Sequence, residues 1–300
     1  MTEPLFEAPL TLFGLPFSQS FATARAAVIG VPFDCGIDPT RFGPRLGPNA
    51  IRQASILTAT LLQDADVSPL DGVVDAGNIT LALDNIESAF DSIEQAMRAV
   101  LSENCIPLTL GGDGAVSLPQ MRAIKSVHDK VAVLHFDAHT DAWKLESNDH
   151  FDNTTQFTHA ANEDLIDVPN AIHVGTRGPV NAQRAIDYAR GLGYEVIPYS
   201  TVRLWGEERL LEHLHARLAG RKVYLCFDMD FFDPSIAPGV ATPTPGGAVA
   251  AEGLALVRGL KGLDIVAADI NTVTPLHDPA GVTASLAASV AAECLALLGD

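Results

Sequence analysis

Asp137, His139 and Asp141 stand two residues apart at the end of a mostly apolar run, residues 131–136. In an extended segment alternate side chains share one side. Two carboxylates and an imidazole would therefore converge where a strand leaves its sheet. A second apolar run, residues 223–227, delivers Asp228, Asp230 and Asp233 in the same way. Ligand sites of α/β proteins collect at the carboxyl ends of their strands, and mixed oxygen and nitrogen donors suit a divalent first-row metal. Five acids and one histidine are too many for one tetrahedral ion. They suit two ions sharing bridging carboxylates, as in hydrolases that activate a metal-bound water.

The two runs read as buried parallel strands, being apolar and rich in β-branched residues. Further strands are expected at 26–31, 73–79, 106–110, 171–174, 195–199 and 265–269. Between them fall helical patterns: one from Asn49, then 86–100, 118–124, 182–190 and 207–218. The segment 86–100 carries Ile86, Ala89, Phe90, Ile93, Met97 and Val100 at helical spacing. Residues 283–298 are apolar almost all round and predict a buried helix. Strands alternating with helices imply a mostly parallel sheet of about eight strands covered on both faces. An open sheet and a closed barrel both satisfy the periodicity.

A chain of 300 residues, 47% hydrophobic, can bury a large core, and without a low-complexity linker it reads as one domain. Residues 1–24 lack a clear period and are expected to form an arm over the surface or onto a neighbouring subunit. The formal charge of −18, from 37 acids against 19 Lys and Arg, argues against nucleic acid, where affinity rests on cations at phosphates. It fits a cationic substrate steered to an acidic mouth. Cys35, Cys105, Cys226 and Cys294 are widely spaced, which suits a reducing cytoplasm. The N-terminus carries Glu3 and Glu7 instead of a basic leader, and no charge-free apolar run predicts a membrane span. In the Gly- and Pro-rich loop 32–48, Arg41 and Arg45 are expected to pair with acids within or between subunits. Gly43, Gly47, Gly246 and Gly247 read as turn formers.

The order of motifs along the chain resembles the ureohydrolase family of arginase, agmatinase, guanidinobutyrase and formiminoglutamase. The matching stretches are Gly30-Val31-Pro32-Phe33-Asp34, the Gly-Pro-Arg-Leu-Gly-Pro loop ending at Pro48 with Ile51-Arg52, and Asp75-Ala76-Gly77-Asn78. They continue through Gly111-Gly112-Asp113, Phe136-Asp137-Ala138-His139-Thr140-Asp141, Gly175-Thr176-Arg177-Gly178, Asp228-Met229-Asp230 and Thr242-Pro243-Thr244-Pro245-Gly246-Gly247. The agmatinase branch is nearest. The resemblance implies a three-layer α/β/α sandwich, assembled as trimers or hexamers, and so favours the open sheet. It implies that Asp137 and Asp228 bridge two divalent metals, manganese or nickel. One ion would also take His139 and Asp230. The other would take Asp141 and an imidazole from a Gly-Gly-Asp-His motif.

Here that motif ends in Gly114, which has no side chain to ligate. A second departure stands at Thr272, where the resemblance implies a glutamate that grips the substrate guanidinium through two oxygens. His159, in Phe157-Thr158-His159, matches the family's proton shuttle. His159 and Asp141 are the catalytic candidates. One metal or none is therefore expected, with impaired activation of water. The resemblance favours the companion chain of a two-chain hydrolase of substituted guanidines or biguanides such as metformin. The catalytic work would then belong to a paralogue in a hetero-oligomer. The alternatives are an autonomous one-metal hydrolase with an unusual substrate, and a sensor of a small cationic ligand.

Overall fold

A computed structural model describes residues 9–34, 41–59, 68–82, 84–147, 151–179 and 185–298. Cys35, residues 1–8 of the arm and residues 182–184 of the helix expected at 182–190 lie outside them. The strands are β1 (Ala26–Gly30), β2 (Val73–Asn78), β3 (Ile106–Leu110), β4 (Ala132–Phe136), β5 (Ile172–Val174), β6 (Glu195–Ile197), β7 (Lys222–Asp228) and β8 (Asp264–Asn271). They form one open sheet in the order β2-β1-β3-β8-β7-β4-β5-β6, every pairing parallel. The open alternative of the sequence reading holds, and the barrel does not.

Helices cover both faces. On one lie α1 (Gly47–Ser55), α6 (Tyr199–Leu218), α7 (Ala250–Arg258) and α8 (Val282–Leu297). On the other lie α2 (Ile86–Leu101), α3 (Ser117–His128), α4 (Gln156–Asn162) and α5 (Ala185–Leu192). Strand alternation divides the core accordingly. Leu134, Leu225 and Ile270 meet Leu286 and Val290 on the first face, while Val133, Tyr224 and Ala267 join Met97 and Ile124 on the second. The stretch Pro279–Leu297 is long and apolar enough to cross a membrane by composition alone. Most of its residues are buried against α1, α7 and β8, which explains its all-round apolar character.

The helix expected at 207–218 begins earlier, at Tyr199, and is broken at Gly206, whose φ of 73° divides two helical stretches. α2 starts at Asn85, whose side chain accepts the Ser88 N–H at 2.8 Å. Asn85→Ala is expected to cost about 0.5–2 kcal/mol, read as a lowered urea midpoint at unchanged slope.

The described part of the arm packs on its own chain: Leu12 and Leu15 are buried, and Phe17 bridges to Asp75 of β2. Arg45 pairs with Asp34 as expected. Arg41 donates to the carbonyls of Pro238 and Val240 and so ties two loops together, with no acid paired to it among the described residues of this chain. Gly43 and Gly246, at φ 125° and 86°, serve turns. Gly47 serves close packing, since a Cβ there would stand 2.7 Å from the Val273 carbonyl oxygen.

Candidate metal centre

β4 and β7 are hydrogen-bonded neighbours with Phe136 opposite Phe227, so Asp137 and Asp228 leave the sheet side by side. The backbone turns sharply after each. Asp137 accepts the His139 N–H at 2.5 Å, and Asp228 accepts the Asp230 N–H at 2.7 Å. These turns bring His139 and Asp230 back over the sheet edge. His139 Nδ1 lies 3.1 Å from both Asp137 Oδ1 and Asp230 Oδ2. Asp141 adopts a left-handed backbone, φ 50°, and its carboxylate faces α4. All four acids are buried.

Two overlapping groups result: Asp137, His139 and Asp230, and His135, Asp137 and Asp141, each with its ligand atoms within 4.8 Å of one another. Ligands at right angles and about 2.1 Å from an ion lie about 3.0 Å apart, so the first group has the spacing of a first-row site. Its electrostatics agree. Burial disfavours a charged imidazole at His139, yet Asp230 and Asp137 outweigh it and hold its pKa well above the ordinary value. A positive charge, proton or cation, is what these carboxylates demand at that point. At Asp137 burial acts upward, but His135 and His139 prevail and pull the carboxyl well below its usual range. Burial raises Asp141 and Asp228 well above theirs, reinforced by Asp137 at the first and by Asp230 at the second.

Gly114 does face Asp141: a Cβ built on it would lie 3.3 Å from Asp141 Oδ2 and 2.9 Å from Gln156 Nε2. Thr272 also lies in the site, with its hydroxyl donating to Asp228 Oδ1 at 2.6 Å. Its φ of 68° is rare for a β-branched residue, and such outliers gather at functional sites. His159 is buried on α4, stacks on Phe151 with centroids 4.6 Å apart, and has Nδ1 3.8 Å from Glu163. Neither partner belongs to the carboxylate group. Asp233 does not join it either. Hydrogen bonds from Ser235, then from the amides of Gly246 and Gly247, fix its carboxylate elsewhere and draw its pKa down to about 2.

Three site residues escaped the sequence reading. His135 Nε2 lies 3.0 Å from Asp137 Oδ2, and its Nδ1 lies 2.9 Å from Nδ1 of His173, its partner across β5. Burial, aided by His135, pushes the His173 pKa well down. The signal for His135 was available, because it precedes Asp137 by two residues and shares its side of the strand. Gln156, which donates Nε2–H to Asp141 Oδ2 at 2.6 Å, had none. Arg177 braces the whole edge from the next loop, its Nη2 donating to the carbonyls of Asp230, Phe232 and Thr244.

An all-parallel sheet that gathers buried carboxylates and imidazoles at its carboxyl edge defines the class of α/β proteins with a candidate metal site at their strand ends. The arginase family model matches residues 24–297. The guanidinobutyrase of Pseudomonas aeruginosa is 34% identical over 300 residues, covering 98% of this chain and 94% of the relative. The agmatinase of Serratia proteamaculans is 34% identical over 289 residues, covering 95% and 91%. Among solved structures, the proclavaminate amidinohydrolase of Streptomyces clavuligerus superposes with a TM-score of 0.91 at 33% identity, covering 98% of both chains. The chain belongs to the arginase family.

One solved relative, the formiminoglutamase of Trypanosoma cruzi, holds Mn2+. The first group fits such a divalent ion, which Asp137, His139 and Asp230 would hold. When bound, the ion supplies Lewis acidity and lowers the pKa of a water. The chain's own residues fix the ligand set: Ala138 N–H donates to Asp230 Oδ1 at 3.0 Å and keeps Oδ2 toward His139.

Proposed function

We propose that this chain is a supporting subunit of an arginase-family hydrolase that releases urea from guanidino or biguanide compounds, metformin-type biguanides among them. Its own centre is reduced to one cation, nickel or manganese. The catalytic work falls to a ureohydrolase paralogue in a trimer- or hexamer-type hetero-oligomer. The observation that carries this reading is Gly114, which faces Asp141 without offering a ligand. Thr272 supports it: its hydroxyl is spent on Asp228, where gripping a guanidinium calls for a carboxylate. The three described cysteines are free and buried, which accords with a cytoplasmic setting.

The test is expression of the chain alone and together with a neighbouring ureohydrolase paralogue. The expected results are no urea release and no more than one ion per chain alone, and release from a copurifying complex. Full turnover by the isolated chain, or a paralogue that neither binds nor needs it, would refute the reading. The intact group of Asp137, His139 and Asp230 favours a second reading, an autonomous one-metal hydrolase. Ammonia or urea released by the isolated chain, abolished in His139→Ala, would establish that instead.

A further inference from the structure

We propose that Gln156 closes the second ion's position from within, so that Gln156 and Thr272 take the place of that ion as partners of the buried carboxylates. The proposal deepens the reduced-centre reading and rests on it only for the expectation of a single ion.

Loss of an imidazole does not by itself empty a subsite. Asp137, Asp141 and Asp228 are still gathered, and oxygen donors alone can hold a hard cation. What changes the position is the group that has moved in. Gln156 Nε2 stands 2.6 Å from Asp141 Oδ2, a short bond to a carboxylate. The same nitrogen lies 2.9 Å from where a Cβ of residue 114 would be. An imidazole from position 114 and this amide therefore compete for the same space, and glycine at 114 is what admits the amide. Across the site, Asp228 Oδ1 already accepts the Asp230 N–H at 2.7 Å and the Thr272 hydroxyl at 2.6 Å. N–H and O–H groups present their positive ends to the acids, where a cation would have to sit.

The amide orientation follows from chemistry. Oε1 of Gln156 is buried without a hydrogen-bond partner among the described residues. A flipped amide would set that oxygen against the Asp141 carboxylate, and two acceptors repel. With Asp141 ionised, as a metal ligand is, the nitrogen faces Asp141. Both donors come from elements that the rest of the fold fixes: Gln156 opens α4, and Thr272 N–H is held by the Gly112 carbonyl at 2.7 Å.

The decisive variant is Gln156→Glu, which keeps the size of the side chain and turns the donor into an acceptor. Purified chains are loaded with manganese or nickel, desalted and analysed for metal per folded chain, with Tm measured with and without the ion. Gln156→Glu is expected to gain one further ion over wild type, and its Tm becomes metal-dependent. Gly114→His alone gains less metal than Gly114→His/Gln156→Ala, because its imidazole must first displace the amide. Gly114→His/Gln156→Ala gains one. A folded Gln156→Glu with the wild-type metal content would overturn the proposal, as would a gain by Gly114→His alone equal to that of Gly114→His/Gln156→Ala. Wild-type chain decides independently of any variant. If it takes up two ions and His135→Ala loses one, then His135, Asp137 and Asp141 hold the second ion and Gln156 closes nothing. None of these readouts is activity, so failure of the supporting-subunit reading leaves them unaffected.

Discussion

Arg52→Ala is expected to lower folding stability by about 3–5 kcal/mol, because it leaves a buried carboxylate without its counter-ion. Arg52 and Asp75 are both fully buried, and the guanidinium grips the carboxylate through two bonds, Nε to Oδ2 at 2.8 Å and Nη2 to Oδ1 at 2.9 Å. The arginine also donates to Asn78 Oδ1 and the Gly77 carbonyl, while Asp75 accepts the Leu12 N–H at 2.8 Å. One ion pair thus joins the arm, α1 and β2. Arg52→Lys is expected to recover only part of the loss, since an ammonium cannot reproduce the planar fork. The exposed Arg98–Glu94 pair on α2 offers a control, worth about 0.3–0.5 kcal/mol. Urea titration of the variants measures all of these. A cost below about 1 kcal/mol for Arg52→Ala would mean that water reaches Asp75 and the pair is not the clasp described.

Asp137→Ala is expected to abolish metal uptake by the chain, a loss beyond the roughly 100-fold that follows removal of an outer partner of a ligand. Asp137 is shared by both ligand groups, facing His139 through Oδ1 and His135 through Oδ2. No other described acid is placed to replace it, because Asp141 is held by Gln156 and Asp228 by Thr272. Removal of the carboxylate relieves repulsion on Asp141, Asp228 and Asp230 but takes a partner from His135 and His139, so the thermal melt is read beside the metal content. Asp233→Ala is the matched control. Its carboxylate binds the amides of Gly246 and Gly247 away from the group, so metal content should match wild type. Elemental analysis after loading, beside a thermal melt, separates lost ligation from lost folding. Metal retained by Asp137→Ala would place the ion elsewhere in the molecule.

The sequence determined a good deal unaided. The alternation of apolar runs with helical patterns implied a mostly parallel sheet of about eight strands with helices between them, because the periods of 2.0 and 3.6 residues are local properties of the backbone. The same period placed Asp137, His139 and Asp141 at one strand end and Asp228 and Asp230 at another. It did not settle whether the sheet closes, nor that β4 and β7 are neighbours, since 90 residues lie between Phe136 and Phe227 and strand order depends on long-range packing. Asp233 shows the limit of spacing as an argument: it belongs to the right loop, yet backbone amides hold it outside the site. His159 lies buried on α4, stacked on Phe151 with Nδ1 3.8 Å from Glu163. Gln156, three residues earlier, is the side chain of α4 that reaches Asp141, because the fold sets that turn of the helix over Gly114. Residue types along a strand announce which donors can meet; which of them do meet, and what already occupies the space between them, is decided by packing among segments far apart in the chain.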